Sequence, residues 1–132
     1  MKNQIEMVKE FINAFNLPSE DNPAPLELDR SVLRHKLLKE EVQELYEASL
    51  SGDLVGCADG IVDCLYIILG TAHELGMTSM LEELFEEVHK SNMSKLDNGK
   101  AKYRADGKVM KGKNYFKPNL LQILTASKDV QV

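Results

Sequence analysis

The sequence predicts an all-α protein: a bundle of about four helices followed by an irregular, basic C-terminal extension. Apolar residues recur at helix-face spacing along roughly two thirds of the chain, and stop signals fall between the periodic stretches. Beyond Asn92 the periodicity changes. At 132 residues with 43% apolar content, the chain is long enough to bury a core without staples and has no disordered composition. It reads as one domain over 1–132, with a helical body over 1–95 and the extension over 96–132.

The first helix is set by the stripe Ile5, Val8, Phe11, Ile12 and Phe15 and ends at Leu17-Pro18. A linker rich in Pro, Asn and Asp runs through Pro25. The second helix is expected over about 29–51, with Asp29 as N-cap and Gly52 as stop. Asp53 can cap a third helix ending near Gly76, which is apolar nearly all round, as the central helix of a bundle is. Ser79 and Glu82 have the spacing of a capping box for a fourth helix, whose core stripe is Leu81, Leu84, Phe85 and Val88. The segment "KAKYRADGKVMKGKNYF" alternates around Asp106-Gly107, a hairpin-turn dipeptide, and Pro118-Asn119 can start a last short helix. Oligomers are expected, because three partner helices do not readily cover so apolar a third helix.

Composition narrows the function classes. Net charge is −5, yet the stretch from Lys95 to Lys117 holds eight of the sixteen basic residues. An acidic body with one basic segment argues against a general nucleic-acid binder and suits a protein that meets phosphate through a cation. The apolar run Ile61 to Ala72 is interrupted by Asp63 and is shorter than a bilayer span, and "MKNQIEMVKEF" has no apolar signal core. A soluble, cytoplasmic protein is therefore expected. Cys57 and Cys64, two turns apart on one helix, cannot easily bridge and read as buried thiols.

Four acids stand where a helical core puts leucines: Glu41 and Glu44 in "LLKEEVQELYEA", and Asp59 and Asp63 in "CADGIVDCLYIILG". At about 100° per residue, Glu41 and Glu44 fall within the arc of Leu33, Leu37, Leu45 and Ala48, so they are expected to face inward. Buried acids are costly unless paired or bound to metal. No basic residue nearby on either helix offers an obvious partner. Glu40, at the stripe's edge, can join Glu41 and Glu44 in presenting three carboxylates beside Asp59 and Asp63. Oxygen donors of this kind suit magnesium, with manganese a possible substitute. Such a cluster could polarise a phosphoanhydride and activate water.

Other motifs are weaker. Glu86-x-x-His89 matches half of a di-iron signature, but neither His35 nor His73 has a glutamate three positions before it, so the second half is missing. His35 reads as a surface or interface residue. Glu82, Glu83, Glu86 and Glu87 read as a solvated face. There is no glycine-rich phosphate loop and no Ser, His and Asp spacing for nucleophilic catalysis.

At "KEEVQEL", "ADGIVDCLYIILGTAHELG" and "HKSNMSKLDNGKAKYRADGKVMKGKNYFKP" the chain resembles the MazG-like all-α nucleoside triphosphate pyrophosphohydrolases, and specifically their phosphoribosyl-ATP pyrophosphohydrolase-like branch. The resemblance runs from about Arg34 to Pro118. It implies hydrolysis of a nucleotide between the α and β phosphates, with magnesium held by Glu41, Glu44 and Asp63. Asn92 and Lys95 are implied contacts to phosphate or sugar, with Lys111 and Tyr115, like Lys108 and Lys113, weaker candidates. A homodimer or tetramer with sites near the subunit interface is also implied.

The chain departs from the family pattern once. Many members carry ExxD in the second motif, whereas here Gly60 stands three before Asp63 and the nearest acid is Asp59, four before. Asp59 shares a helix face with Asp63 and can take over as ligand. Glu41 or Glu44 is the candidate to orient or deprotonate the attacking water. Phosphoribosyl-ATP competes with nucleoside triphosphates as substrate. A non-catalytic nucleotide- or metal-binding helical module is the alternative from another class. It is disfavoured, because a scaffold would gain stability by replacing these acids with apolar residues.

Overall fold

The computed structural model describes residues 1–126, so the end of the extension, 127–132, lies outside the described residues. The fold is all-helical, in the order α1 (Lys2–Ala14), α2 (Leu28–Ser51), α3 (Leu54–Glu74), α4 (Leu81–Met93) and α5 (Leu120–Thr125), with a 3-10 turn at Thr78–Met80. No strand occurs among the described residues. The described residues form two compact units, 1–79 and 80–126.

In the first unit, α1 buries Ile5, Val8 and Ile12 and packs on α3. Phe11 and Phe15 of the same stripe stay exposed. Their rings lie 4.4 Å apart, and Phe11 meets Tyr66 of α3 edge-on at 5.6 Å.

α2 starts one residue earlier than expected. Its N-cap is Glu27, without a side-chain cap bond, and Asp29 lies inside the first turn, where an acid still suits the helix dipole. At the other end Gly52 adopts the left-handed cap (φ 73°). Asp53 then caps α3 as expected, its Oδ1 accepting from the amides of Val55 (3.1 Å) and Gly56 (3.0 Å). So tight a connection makes α2 and α3 an antiparallel hairpin.

Register along the hairpin is set by small residues and polar pairs. A Cβ on Gly56 would lie 2.9 Å from the Ala48 Cβ, and one on Gly60 would lie 2.8 Å from the Leu45 Cβ. Further along, Arg34 Nε donates to Thr71 Oγ1 (2.9 Å), and Arg30 Nε donates to Glu74 Oε1. The expected inward arc of α2 is not realised in this unit: no α2 residue is buried. Val32, Leu33, Val42, Tyr46 and Leu50 remain exposed, as do Leu54, Val55, Ile61, Val62, Leu65 and Ile68 of α3. Among the described residues of this unit, α1 and α2 are the helices that pack on α3, and its apolar circumference is incompletely covered.

The connection from α1 to α2 is strapped to the end of α3. The Glu20 amide donates to the His73 carbonyl (2.9 Å) and the Ala24 amide to the Leu75 carbonyl (3.1 Å). Gly76 sits beneath the strap at φ 68°, and a Cβ there would fall 2.0 Å from the Asn22 carbonyl oxygen, so only glycine fits. His73, buried, bonds through Nε2 to the Ile5 carbonyl (2.9 Å).

In the second unit Met80, not Ser79, stands at the N-cap of α4, because the 3-10 turn occupies the residues before it. The extension is held to α4 by polar contacts. Ser91 Oγ donates to the Phe116 carbonyl (2.8 Å), and Ser94 Oγ accepts from the Phe116 amide (3.1 Å). Glu87 is half-buried and accepts from the Asn119 amide (2.8 Å), so one member of the acidic run is structural. Asn119 caps α5 through the Gln122 amide. The Asp106-Gly107 turn forms with one bridge, Tyr103 to Val109, too short to count as a strand.

Two further readings change. Cys57 and Cys64 are free thiols but half-buried. The run Ile61 to Ala72 is short, yet α3 as a whole is long and apolar enough, by length and composition alone, to cross a membrane.

Candidate active site

The hairpin register determines what the acids can do. With Leu45 set against Gly60, the next turn of α2 brings Glu41 alongside Asp63. Both are half-buried, whereas Glu40, Glu44 and Asp59 are exposed. Glu44 and Asp59 line one groove with Asp53 and Gly56. Glu40 and Glu44 line the adjoining one with Lys36 and Lys39. These lysines are basic neighbours that face-by-face sequence reasoning passed over. Neither forms an ion pair with an acid among the described residues.

Electrostatics single out Glu41. Desolvation raises its carboxyl above the ordinary glutamate range, and the negative charges of Asp63, Glu44, Asp59 and Glu40 push it further in the same direction. Each of these causes disfavours the ionised form of Glu41. Among the described residues no three His, Cys, Asp or Glu side chains converge closely enough to hold a metal ion. The donor set is nonetheless all carboxylate oxygen without ion-pair partners, the chemistry that a hard divalent cation fits. Glu41, Glu44, Asp59 and Asp63, with Glu40 at the edge, are the residues that could hold it.

Gly60 explains the departure from ExxD in steric terms. Its Cα faces the Leu45 backbone, so a glutamate there would force the helices apart. An acid from this stretch of α3 has to come from the neighbouring face, where Asp59 stands.

The remaining candidates lie in the second unit. Lys95 Nζ donates to Asn92 Oδ1 (2.7 Å), so this pair is already joined. Lys111 Nζ lies 4.5 Å from the Tyr115 ring centroid, a cation–π contact.

Sequence reading missed a polar cluster at the other end of the hairpin. Glu74, 5% exposed, binds Arg30 and lies 3.7 Å from Arg34 Nε. The carboxylate raises the Arg30 pKa through its hydrogen bond, while burial lowers that of Arg34. The signal was present as arginines one turn apart on α2, but only the hairpin register points them at Glu74.

A family model for phosphoribosyl-ATP pyrophosphohydrolase matches residues 8–92. Fold and match together define the class as a nucleotide pyrophosphohydrolase. The chain belongs to the phosphoribosyl-ATP pyrophosphohydrolase family. The matched stretch contains Glu40, Glu41, Glu44, Asp59, Asp63 and Asn92, whereas Lys95, Lys111 and Tyr115 lie beyond it. No curated protein matches the chain.

Proposed function

We propose that this protein is a magnesium-dependent, cytoplasmic enzyme that hydrolyses the α–β phosphoanhydride of a nucleoside triphosphate, releasing the monophosphate and pyrophosphate. The observation that carries this reading is the facing of Glu41 and Asp63 across the hairpin, within a group of acids lacking ion-pair partners. Glu41, Glu44, Asp59 and Asp63 would hold magnesium or manganese, which when bound supplies Lewis-acid polarisation of the phosphate oxygens. Of these acids, Glu41 or Glu44 would orient the attacking water or accept its proton. The water oxygen bonds to phosphorus on one side of the bridge, and the bond on that side to the bridging oxygen breaks. Asn92 and Lys95, with Lys111 and Tyr115, would meet the phosphates or sugar. A homodimer or tetramer would cover the apolar faces left open on α2 and α3.

The family match supports a second reading, with phosphoribosyl-ATP as substrate. Both reactions break the same bond. A panel of nucleoside triphosphates and phosphoribosyl-ATP, incubated with magnesium and scored for pyrophosphate, tests them together. Absence of pyrophosphate from every member would remove the enzymatic reading and leave a binding module.

A further inference from the structure

Beside the acids, between α1, α2 and α3, lies a cavity of about 240 Å³. Leu37 on its wall is one turn before Glu41 along α2, and Tyr66 and Ile67 are one turn after Asp63 along α3, so cavity and acids are about 5 Å apart along the hairpin. Its walls are apolar and aromatic, with Phe11 and Tyr66 meeting edge to face. Its polar wall is the Arg30, Glu74 and Arg34 cluster. Arg34 is committed to Thr71 Oγ1 and the Ile67 carbonyl. Arg30 bonds Glu74 through Nε alone among the described residues, which leaves its two Nη groups as donors, while Glu74 Oε2 lies 3.7 Å from Arg34 Nε as an ion pair.

Apolar walls that end in the Arg30 donors beside the Glu74 carboxylate fit a heterocycle presenting polar atoms at one edge. The volume is below the roughly 300–1,000 Å³ of sites for drug-sized ligands, so one ring system fits and a base with a second sugar does not. Resting on the pyrophosphohydrolase reading above, we propose that this cavity takes the unsubstituted base of a nucleoside triphosphate, that Arg30 and Glu74 read its edge, and that the protein rejects phosphoribosyl-ATP, whose adenine carries an extra phosphoribosyl group.

The test is steady-state pyrophosphate release from common ribo- and deoxyribonucleoside triphosphates, phosphoribosyl-ATP and base-free ribose 5′-triphosphate. The best nucleoside triphosphate should exceed both phosphoribosyl-ATP and ribose 5′-triphosphate in kcat/KM by about a hundredfold or more, the discrimination a site with hydrogen-bonding groups to satisfy can reach. Arg30→Gln, at the partly exposed rim, and the buried Glu74→Gln should each lower the ratio to ribose 5′-triphosphate by about tenfold or more, mostly through KM. Melting curves identify a variant that fails to fold, and Arg30→Gln then decides the matter alone. Equal turnover of phosphoribosyl-ATP and the best triphosphate, or a ratio unmoved by a folded variant, overturns the proposal while leaving the pyrophosphohydrolase reading standing. Silence from every substrate overturns both.

Discussion

Gly60 of α3 lies against Leu45 of α2 so closely that a Cβ at 60 would come within 2.8 Å of the Leu45 Cβ and 3.0 Å of its Cα. Backbone contact at this point sets the register that puts Glu41 beside Asp63. Gly60→Ala should therefore destabilise the protein by about 1–2 kcal/mol, the overpacking cost less the gain in helix propensity, as measured by urea denaturation. Gly60→Glu, which restores ExxD, should unfold more readily still and gain no activity. A stable, more active Gly60→Glu protein would mean that the hairpin can open to accept a ligand there.

Stability and turnover should separate at the acids. Glu44→Gln and Asp63→Asn remove charge from a repelling group, so the metal-free protein should melt no lower than the parent. Each should lose roughly 10²-fold or more in pyrophosphate release. Glu83→Gln, on α4, should change neither. An Asp63→Asn protein that melts far lower yet still turns over would make Asp63 structural.

Proton binding gives an independent view of Glu41. Its folded-state pKa lies above the ordinary glutamate value, so between the two the folded form binds more protons than the unfolded chain. That contribution favours the folded state as pH falls into this window and is lost as pH rises through the folded pKa. In EDTA, the difference in melting temperature between parent and Glu41→Gln should change across that window, in the parent's favour toward acid. Parallel curves would mean that Glu41 does not feel its neighbours.

Magnesium should act in the opposite sense. An ion bound only by the folded form raises the melting temperature by mass action, and it competes with the proton for Glu41. Millimolar magnesium should raise the melting temperature near neutral pH, with the rise shrinking as pH drops toward the glutamate range. Identical curves in EDTA and magnesium would count against a cation site.

Glu74 should behave unlike the other acids. Removing it strands two half-buried guanidinium groups, and breaking such a cluster typically costs about 3–5 kcal/mol. Glu74→Ala should show that loss in chemical denaturation, and a loss below 1 kcal/mol would place the cluster in open solvent.

Much of this was readable in the chain because local rules decided it. Gly52 with Asp53 fixed one helix end and the next start, and Asn119 capped the last helix, since each acts on its own backbone neighbours. The same rules failed at Asp29 and Ser79, where nearby backbone took a different first turn. Burial on α2 was misjudged because periodicity marks which face is apolar, and says nothing of whether one chain supplies its cover. The acidic pairs are visible as spacing on single helices, and the family through resemblance at the motifs around them. Arg30 with Glu74 was not, because residues 44 positions apart meet only once the hairpin register is known.

The strap over the end of α3 bears on how this chain can be re-engineered. Because Glu20 and Ala24 are hydrogen-bonded to the carbonyls of His73 and Leu75 beneath them, and Asn22 rests on Gly76, the stretch between α1 and α2 is a measured length and not slack. Tags, permuted termini or fused domains inserted between Glu20 and Ala24 would lift α1 off Val8's seat. The turn at Asn98 and Gly99, where a side chain on the glycine would meet nothing within 4 Å, is the place to graft them.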